Sequence, residues 1–185
     1  MIDVNELRRG VTFKMDGELY RVIEYQHHKP GRGNAVIRTK LRNLRTGATI
    51  AQTFQSGDRV EDIRVERRIV QYLYTDGNLY YFMDTETYEQ TPVSAAVVGD
   101  NAGFLVEGME LAISFYEGEP LDLELPASVD VKVVSAEIAV AGDSATGAEK
   151  KVTVETGLQV QVPLFVQAGD TIRVDTRTGE YITRV

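Results

Sequence analysis

Residues 22–41 read VIEYQHHKPGRGNAVIRTKL, two strand-like runs that flank a loop with one proline and two glycines. Pro30 fixes its own φ angle and donates no backbone hydrogen bond, whereas Gly31 and Gly33 accept positive φ angles at little cost. The pattern predicts a β-hairpin. Arg32 lies between the two glycines, so we expect it at the hairpin tip with no neighbour to pack against. It is either an ordinary solvated side chain or a group that the hairpin presents to a target.

The charge around this loop differs from that of the whole chain. The protein carries 20 Lys and Arg against 28 Asp and Glu, a formal net charge of −8. Residues 25–54 nevertheless contain six basic side chains and no acidic one. Residues 1–64 carry 12 basic and 8 acidic side chains, a net of +4, and residues 65–185 carry 8 and 20, a net of −12. Because basic clusters attract phosphate, this asymmetry indicates a nucleic-acid contact in the amino-terminal part.

In the second strand of the predicted hairpin, basic residues alternate with apolar residues and a threonine. Side chains two residues apart project from the same side of a strand. Arg38 and Lys40 are therefore expected on one side, together with Val36, and they extend a basic stripe from the loop. The opposite side is formed by Ile37, Thr39 and Leu41.

Turn signals divide the whole chain into short strands, so the predicted fold class is all-β. Five strand-like runs in residues 1–64 predict a small barrel. Residues 65–128 contain a further hairpin and a segment compatible with a short helix at 93–106, and residues 129–185 begin with an alternating strand. Boundaries near 64/65 and 128/129 thus give three small β-barrel domains. Units of ~60 residues are marginal alone, so we expect neighbouring barrels to pack together.

Several classes of function have no support in the sequence. There is no Cys, which excludes disulfides, thiolate zinc sites and a cysteine nucleophile. Adjacent residues on a strand point to opposite faces, so His27 and His28 do not share a metal; neither a metal site nor a cofactor is expected. No phosphate-binding glycine motif and no nucleophile elbow is present, and no enzyme is expected. Without a signal peptide or a membrane-length apolar run, a cytoplasmic protein is expected.

Aromatic residues concentrate in the second block. Such side chains either stack on exposed bases or fill a core or a domain junction. Because no basic residues frame them, the core interpretation is favoured. The residues are Tyr72, Tyr74, Tyr80, Tyr81, Phe82 and Tyr88.

Taken together, these segments resemble the bacterial elongation factor P family over essentially all 185 residues. The order and spacing of five segments carry the resemblance. They are KPGRGNA at 29–35, QYLY at 71–74, FMDTETYEQ at 82–90, ETGLQVQVPLFV at 155–166 and DTRTGEY at 175–181.

The resemblance implies a fold and a function. It implies an SH3-like (KOW-like) domain at 1–64 followed by OB-like domains at 65–128 and 129–185, in a tRNA-like shape. It implies a monomeric translation factor that binds the ribosome, both rRNA and ribosomal proteins, between the P and E sites. Such a factor stimulates peptide bond formation and relieves stalling at consecutive prolines by positioning the peptidyl-tRNA in the P site. Contact with mRNA in the E site is also implied, and neither a membrane nor a catalytic residue is.

The resemblance also assigns residues. The family tip is often a Lys with a β-lysyl-type extension, and in one branch it is an Arg that can be rhamnosylated; Arg32 matches the arginine-tip branch. Arg32 is thus the modification candidate and the contact to peptidyl-tRNA, with an arginine rhamnosyltransferase as a further partner. The supporting loop residues are Lys29, Pro30, Gly31, Gly33 and Asn34. The RNA backbone contacts are Arg38, Lys40 and Arg42, and the loop facing the exit-site codon is Gly142, Asp143, Ser144, Ala145, Thr146 and Gly147.

Two alternatives remain open at this point. A generic RNA-binding β-barrel protein would share the basic stripe without contacting a tRNA end. A paralogue of the factor would share the loop but serve a narrower set of substrates.

Overall fold

The protein is described by a computed structural model covering residues 1–138 and 148–185. The described chain consists mainly of antiparallel strands in three sheets, which confirms the all-β prediction. The sheets curl into half-barrels. Two compact units are distinguished: unit 1 contains Met1–Arg68 and Ile113–Asp122, and unit 2 contains Ile69–Ala112 and Leu123–Val185. The domain boundaries at 64/65 and 128/129 stay a prediction.

The first sheet has six strands in the order β1-β6-β2-β3-β4-β5. Its strands are β1 (Ile2–Asp3), β2 (Thr12–Met15), β3 (Glu18–His28), β4 (Val36–Asn43), β5 (Thr49–Gln55) and β6 (Arg59–Asp62), with a 3₁₀ helix at Val4–Glu6. Alternate residues of these strands project to one side and form the core. That core contains Val4, Leu7, Phe13, Val22, Ile37, Leu41, Phe54 and Val60.

A second apolar cluster in unit 1 joins segments far apart in sequence. Leu19, Leu44 and Leu121 are buried against one another. Two ion pairs accompany this cluster: Arg21 binds Asp122, and the Arg45 guanidinium binds both carboxylate oxygens of Glu119 at 3.0 and 3.2 Å. The strands around Leu121 therefore contribute to the stability of the unit that carries the hairpin.

The second sheet has five strands in the order β11-β10-β7-β8-β9. They are β7 (Glu66–Thr75), β8 (Leu79–Asp84), β9 (Gln90–Ser94), β10 (Glu110–Tyr116) and β11 (Glu119–Glu124). Helix α1 (Ala95–Val98) and a 3₁₀ helix (Gly99–Phe104) follow β9, so the segment compatible with a short helix does contain one. The Ser94 side chain caps α1 by accepting from the Val97 backbone N–H at 3.3 Å.

The third sheet has the order β14-β13-β12-β15-β16. Its strands are β12 (Ser128–Ala136), β13 (Glu149–Val154), β14 (Gln159–Pro163), β15 (Thr171–Asp175) and β16 (Tyr181–Arg184). The alternation predicted for β12 is confirmed, since Val129, Val131 and Val133 are buried and the intervening Asp130 and Lys132 are exposed. Valine dominates this core because a β-branched side chain suits a half-buried strand.

The aromatic residues of the second block divide between core and surface. Tyr72 and Phe82 are buried, as the core interpretation predicts, and Tyr80 and Tyr81 are half-buried. Tyr74 and Tyr88 are exposed, at 47% and 71%. The core interpretation is therefore correct for only part of the group.

The helical segments of the described chain are short. The longest is the 3₁₀ helix Gly99–Phe104, with 6 residues. A bilayer-spanning helix needs about 20 residues, so none of the described helices can cross a membrane.

Candidate nucleic-acid interface

The predicted hairpin is formed by β3 and β4. Their antiparallel pairing runs from Tyr20 opposite Asn43 to His28 opposite Val36. Residues 29–35 connect the strands. The last three residues of β3, Gln26, His27 and His28, are exposed, so the outer end of this strand presents its side chains to solvent.

The tip of the hairpin is exposed. Gly33 adopts φ +116°, a region that glycine enters without the steric cost of a Cβ, whereas Gly31 lies outside the positive range. Lys29, Arg32 and Asn34 are exposed. The Arg32 guanidinium has no hydrogen bond or ion pair with another described residue. All five N–H donors of Arg32 are therefore available to an external acceptor.

The basic stripe of Arg38, Lys40 and Arg42 on β4 results from the two-residue alternation of side chains along a strand. Ile37, Thr39 and Leu41 are buried on β4, and the three basic residues between and after them are exposed, which confirms the predicted alternation. Lys40 Nζ lies 3.3 Å from Glu24 Oε1 on the neighbouring strand, and both side chains are more than half exposed. Exposed ion pairs of this kind contribute about 0–1 kcal/mol, so Lys40 can exchange its partner readily.

Arg38 and Arg42 lie on the same side of β4 as Lys40. Arg38 is opposite Gln26, and Arg42 is opposite Arg21. Within the described residues neither guanidinium has a hydrogen bond or an ion pair. The structure thus leaves two unpaired cations on the strand that follows Arg32.

Arg45 is the last basic residue of the stretch 25–54, and unlike Arg38 and Arg42 it has partners within the protein. Besides its two contacts to Glu119, its Nη1 donates to the Gly17 carbonyl at 3.0 Å. The hydrogen bonds that the Arg45 side chain donates to the Glu119 carboxylate raise the pKa of Arg45 above its ordinary value. Arg45 therefore stabilises the fold by binding Glu119, which is 74 residues away in the sequence.

Sequence reasoning missed a basic groove on the same sheet. Arg8, Arg9, Glu24 and Tyr25 are among the residues that line a shallow depression of about 460 Å³. The Arg8 guanidinium carbon lies 5.0 Å from the centroid of the Tyr25 ring, within the range of a cation–π contact. The adjacent Arg8 and Arg9 were the only sequence signal for this groove, which places two further arginines beside β3.

Arg8 is held in place by the backbone. Its Nη1 donates to the carbonyl oxygens of Asn5 at 2.8 Å and Leu7 at 2.6 Å. Arg9 is exposed and has no partner among the described residues.

Two other predicted features add no site to the structure. His27 and His28 are exposed at the end of β3, opposite Ile37 and Val36. No group of three or more His, Asp or Glu in the described part of the chain is arranged to hold a metal ion. The predicted codon-facing loop, residues 142–147, lies outside the described residues.

Family comparisons match nearly the whole chain. Residues 3–60 match the model of the elongation factor P (EF-P) KOW-like domain. Residues 65–123 match the elongation factor P (EF-P) OB domain, and residues 129–184 match the elongation factor P carboxy-terminal domain.

Curated relatives match along the full length. The chain is 50% identical to elongation factor P of Moorella thermoacetica over 184 residues, with 100% of both chains covered. It is 48% identical to elongation factor P of Acidothermus cellulolyticus over 184 residues, covering 100% of this chain and 98% of the relative.

A solved structure shares the fold at lower identity. The eukaryotic translation initiation factor 5A from Methanococcus jannaschii superposes with a TM-score of 0.55 and 22% sequence identity. The match covers 66% of this chain and 92% of that chain.

Proposed function

The chain belongs to the elongation factor P family and is thus a translation elongation factor, and we propose that it binds the ribosome between the P and E tRNA sites and relieves stalling at consecutive prolines. The observation that carries the proposal is Arg32 at the tip of the β3–β4 hairpin, which is exposed and has no partner among the described residues. The factor works in the cytoplasm as a monomer, and it contacts rRNA, ribosomal proteins and the peptidyl-tRNA.

The chemical problem is one of geometry. Proline is a constrained nucleophile, so an attack by prolyl-tRNA on a peptidyl-prolyl ester suffers when the two reacting groups are poorly placed. Holding reactants in a near-attack geometry is worth up to about 7–11 kcal/mol in the best cases. A small part of that range restores a stalled rate. The factor thus needs to restrain the peptidyl-tRNA, and it needs no covalent chemistry of its own.

Arg32 is suited to restrain an RNA end. Its guanidinium is planar, permanently charged and able to donate two parallel hydrogen bonds to one phosphate. The same donors reach 2′-hydroxyl groups, which distinguish RNA from DNA. In our proposal Arg32 holds the acceptor end of the peptidyl-tRNA, while Pro30 and Gly33 shape the loop that carries it.

The stripe on β4 anchors the hairpin. Arg38 and Arg42 have no partner among the described residues, and Lys40 has only an exposed one. We assign all three, together with Lys29, to phosphates of rRNA or tRNA. Residues 142–147 are proposed to reach the mRNA codon in the E site.

The decisive test uses substitutions at the tip. Arg32→Ala removes the guanidinium and leaves the backbone of the loop unchanged. Loss of charge-assisted hydrogen bonds of about 1.5–3 kcal/mol corresponds to a tenfold to hundredfold slower synthesis across three consecutive prolines. The measurement is the rate of proline-rich and proline-free reporter synthesis in a reconstituted translation system. Proline-free synthesis should not change.

Arg177→Ala is the matched control, because its side chain is 80% exposed and lies in unit 2. It should retain full activity. If Arg32→Ala rescues stalled synthesis as well as the original protein does, Arg32 is not the working group. Ribosome binding without any rescue by the original protein would favour the paralogue with a narrower substrate set.

A modification of the tip is part of the proposal. Intact mass and peptide mapping of the natively produced protein across residues 26–38 would reveal a deoxyhexose-sized addition on Arg32. Such an addition implies an arginine rhamnosyltransferase as a partner. An unmodified Arg32 would mean that the guanidinium and the loop are sufficient, and the bare protein should then be active in the proline-rich assay.

A further inference from the structure

A cavity in unit 2 has features that the proposed translation function does not use. Its volume is about 480 Å³, within the range of small-ligand sites. Tyr72, Tyr80, Glu107, Glu155 and Thr156 are among the residues that line it. Neither Lys nor Arg is among its described lining residues, so its charged groups are carboxylates alone.

Tyr72 brings an unsatisfied hydroxyl to this cavity. The residue is only 5% exposed, yet its hydroxyl has no hydrogen bond with another described residue. The hydroxyl oxygen is nevertheless not enclosed, because no fully buried side-chain N or O atom without a partner occurs among the described residues. Since the ring is buried and the residue lines the cavity, the hydroxyl opens into it. Buried polar groups are normally satisfied, so this oxygen is available to a ligand.

Two aromatic rings form adjacent walls. The rings of Tyr72 and Tyr80 are nearly perpendicular, at 89°, with centroids 6.3 Å apart. Tyr72 is buried, whereas Tyr80 is half-buried, so Tyr80 is the ring more accessible from the cavity. The quadrupole of an aromatic ring attracts positive charge over its face within about 6 Å.

Two carboxylates complete the set. Glu107 is exposed and has no ion pair within the described chain. Glu155 Oε1 accepts the backbone N–H of Lys132 at 3.0 Å, which fixes the side chain and leaves its other oxygen available. Carboxylate and phenol oxygens are acceptors for N–H donors.

The walls of the cavity are held by the fold. Thr156 Oγ1 donates to the Gly103 carbonyl at 2.5 Å. The Tyr72 backbone N–H donates to the Met109 carbonyl at 2.9 Å, and the Gly108 N–H donates to the Tyr72 carbonyl at 2.8 Å. The aromatic and acidic groups are thus presented by an ordered framework, which reduces the entropy cost of binding.

We propose that this cavity binds the ammonium or guanidinium group of a cationic ligand. The ligand is a free polyamine or a Lys or Arg side chain of a protein, since both carry the same recognised chemistry. The cation lies against the Tyr80 ring and donates hydrogen bonds to Glu107, Glu155 and the Tyr72 hydroxyl. The proposal does not depend on the role of Arg32, which lies in unit 1, and the two can fail separately.

The test is an NMR titration of the full ¹⁵N-labelled chain at about 0.1 M salt, where long-range attraction to the acidic protein is screened. The probes are N-acetyl-arginine amide, N-acetyl-lysine amide and spermidine, with N-acetyl-citrulline amide as the neutral counterpart of arginine. We expect saturable shifts of the Gly103, Glu107 and Thr156 amides with at least one cationic probe, and none with citrulline. Binding of spermidine alone identifies a polyamine site, and binding of the amino acid amides identifies a site for a protein side chain.

Substitutions separate the site from general charge. Glu107→Gln should weaken binding by about tenfold to hundredfold, the loss of one charge-assisted hydrogen bond. Glu110→Gln changes the net charge equally but does not line this cavity, and it should bind as the original chain does. Tyr72→Phe keeps the ring and should weaken binding by about threefold. Equal shifts with citrulline, shifts without saturation, or equal effects of Glu107→Gln and Glu110→Gln would overturn the proposal.

Discussion

At the scale of single residues, Tyr72 shows how burial sets the behaviour of one hydroxyl. Burial raises the pKa of this group above its ordinary value of 10.0, and the charges of Tyr80 and Glu107 act in the same direction. The folded state therefore favours the neutral phenol. Its stabilising contribution is fully present below about pH 10 and is lost as the pH rises through the raised pKa of the folded state.

Tyr72→Phe should remove this part of the alkaline destabilisation. At about pH 7 the variant should keep the stability of the original chain within ~0.5 kcal/mol, because the lost hydroxyl has no partner in the described protein. At about pH 11 it should be more stable than the original. The measurement is urea unfolding at both pH values. Tyr88→Phe is the control, since that side chain is 71% exposed; an identical alkaline gain in both variants would contradict the prediction.

At the scale of elements, one hairpin turn recurs once in each sheet. The turns read NLRTGA at 43–48, DTETYE at 84–89 and DTRTGE at 175–180. In each, the first side chain accepts the backbone N–H groups two and three residues later, at 2.9 and 3.0 Å for Asn43, 2.8 and 3.1 Å for Asp84, and 2.7 and 3.2 Å for Asp175. The fifth residue always has a positive φ: +76° for Gly47, +62° for Tyr88 and +76° for Gly179.

In this recurring turn, the positive φ angle of Gly179 favours glycine at that position. A Cβ built there would lie 3.9 Å from Phe104 Cζ, an ordinary contact, so the cost of a side chain is in the backbone. Gly179→Ala should lower the free energy of unfolding by about 1 kcal/mol. Gly31→Ala, at a position with neither a positive φ nor a close neighbour, should change it little. Urea unfolding of both variants measures the difference, and equal losses would show that the φ angle is not the cause.

The same elements show what the sequence could and could not predict. Strict alternation located β4 and β12, and the turn residues located the β3–β4 hairpin, because both signals are local. Strand β9 was missed because Pro92 lies within it, and an edge strand tolerates a proline. The relation between the three turns was missed because six residues with a varied first member give a weak repeat.

The candidate site likewise contains features that the sequence predicted and contacts that it could not predict. Arg32 and the β4 stripe follow from neighbours in the chain, and these were predicted. The pairing of Arg45 with Glu119 joins residues 74 apart, and Thr156, which lines the cavity beside Tyr72, bonds to Gly103, 53 residues away. Contacts of this kind depend on the tertiary fold, so no local pattern could reveal them.

At the scale of the whole molecule, charge is distributed unevenly along the chain. Residues 1–64 carry a net of +4 and residues 65–185 a net of −12. In our proposal the basic part meets RNA phosphates while the acidic remainder limits association with other RNA. Each phosphate that a side chain neutralises adds about 0.7–0.9 to the slope of log K against log salt. The salt dependence of ribosome binding therefore measures how many Lys and Arg side chains neutralise RNA phosphates.

Arg38 and Arg42 should together account for about 1.4–1.8 of the slope, the contribution of two phosphates. The double variant Arg38→Gln/Arg42→Gln should bind ribosomes more weakly at low salt, with a slope reduced by about 1.4–1.8. The control, Lys132→Gln/Arg177→Gln, also removes two exposed cations and gives the same net charge of −10 from the original −8. Its slope should not change, because both residues lie outside the hairpin. Ribosome binding measured by sedimentation across a salt series distinguishes the cases. Equal reductions in both variants would mean that ribosomes respond to total charge, and the basic stripe on β4 would then have no specific role in anchoring Arg32.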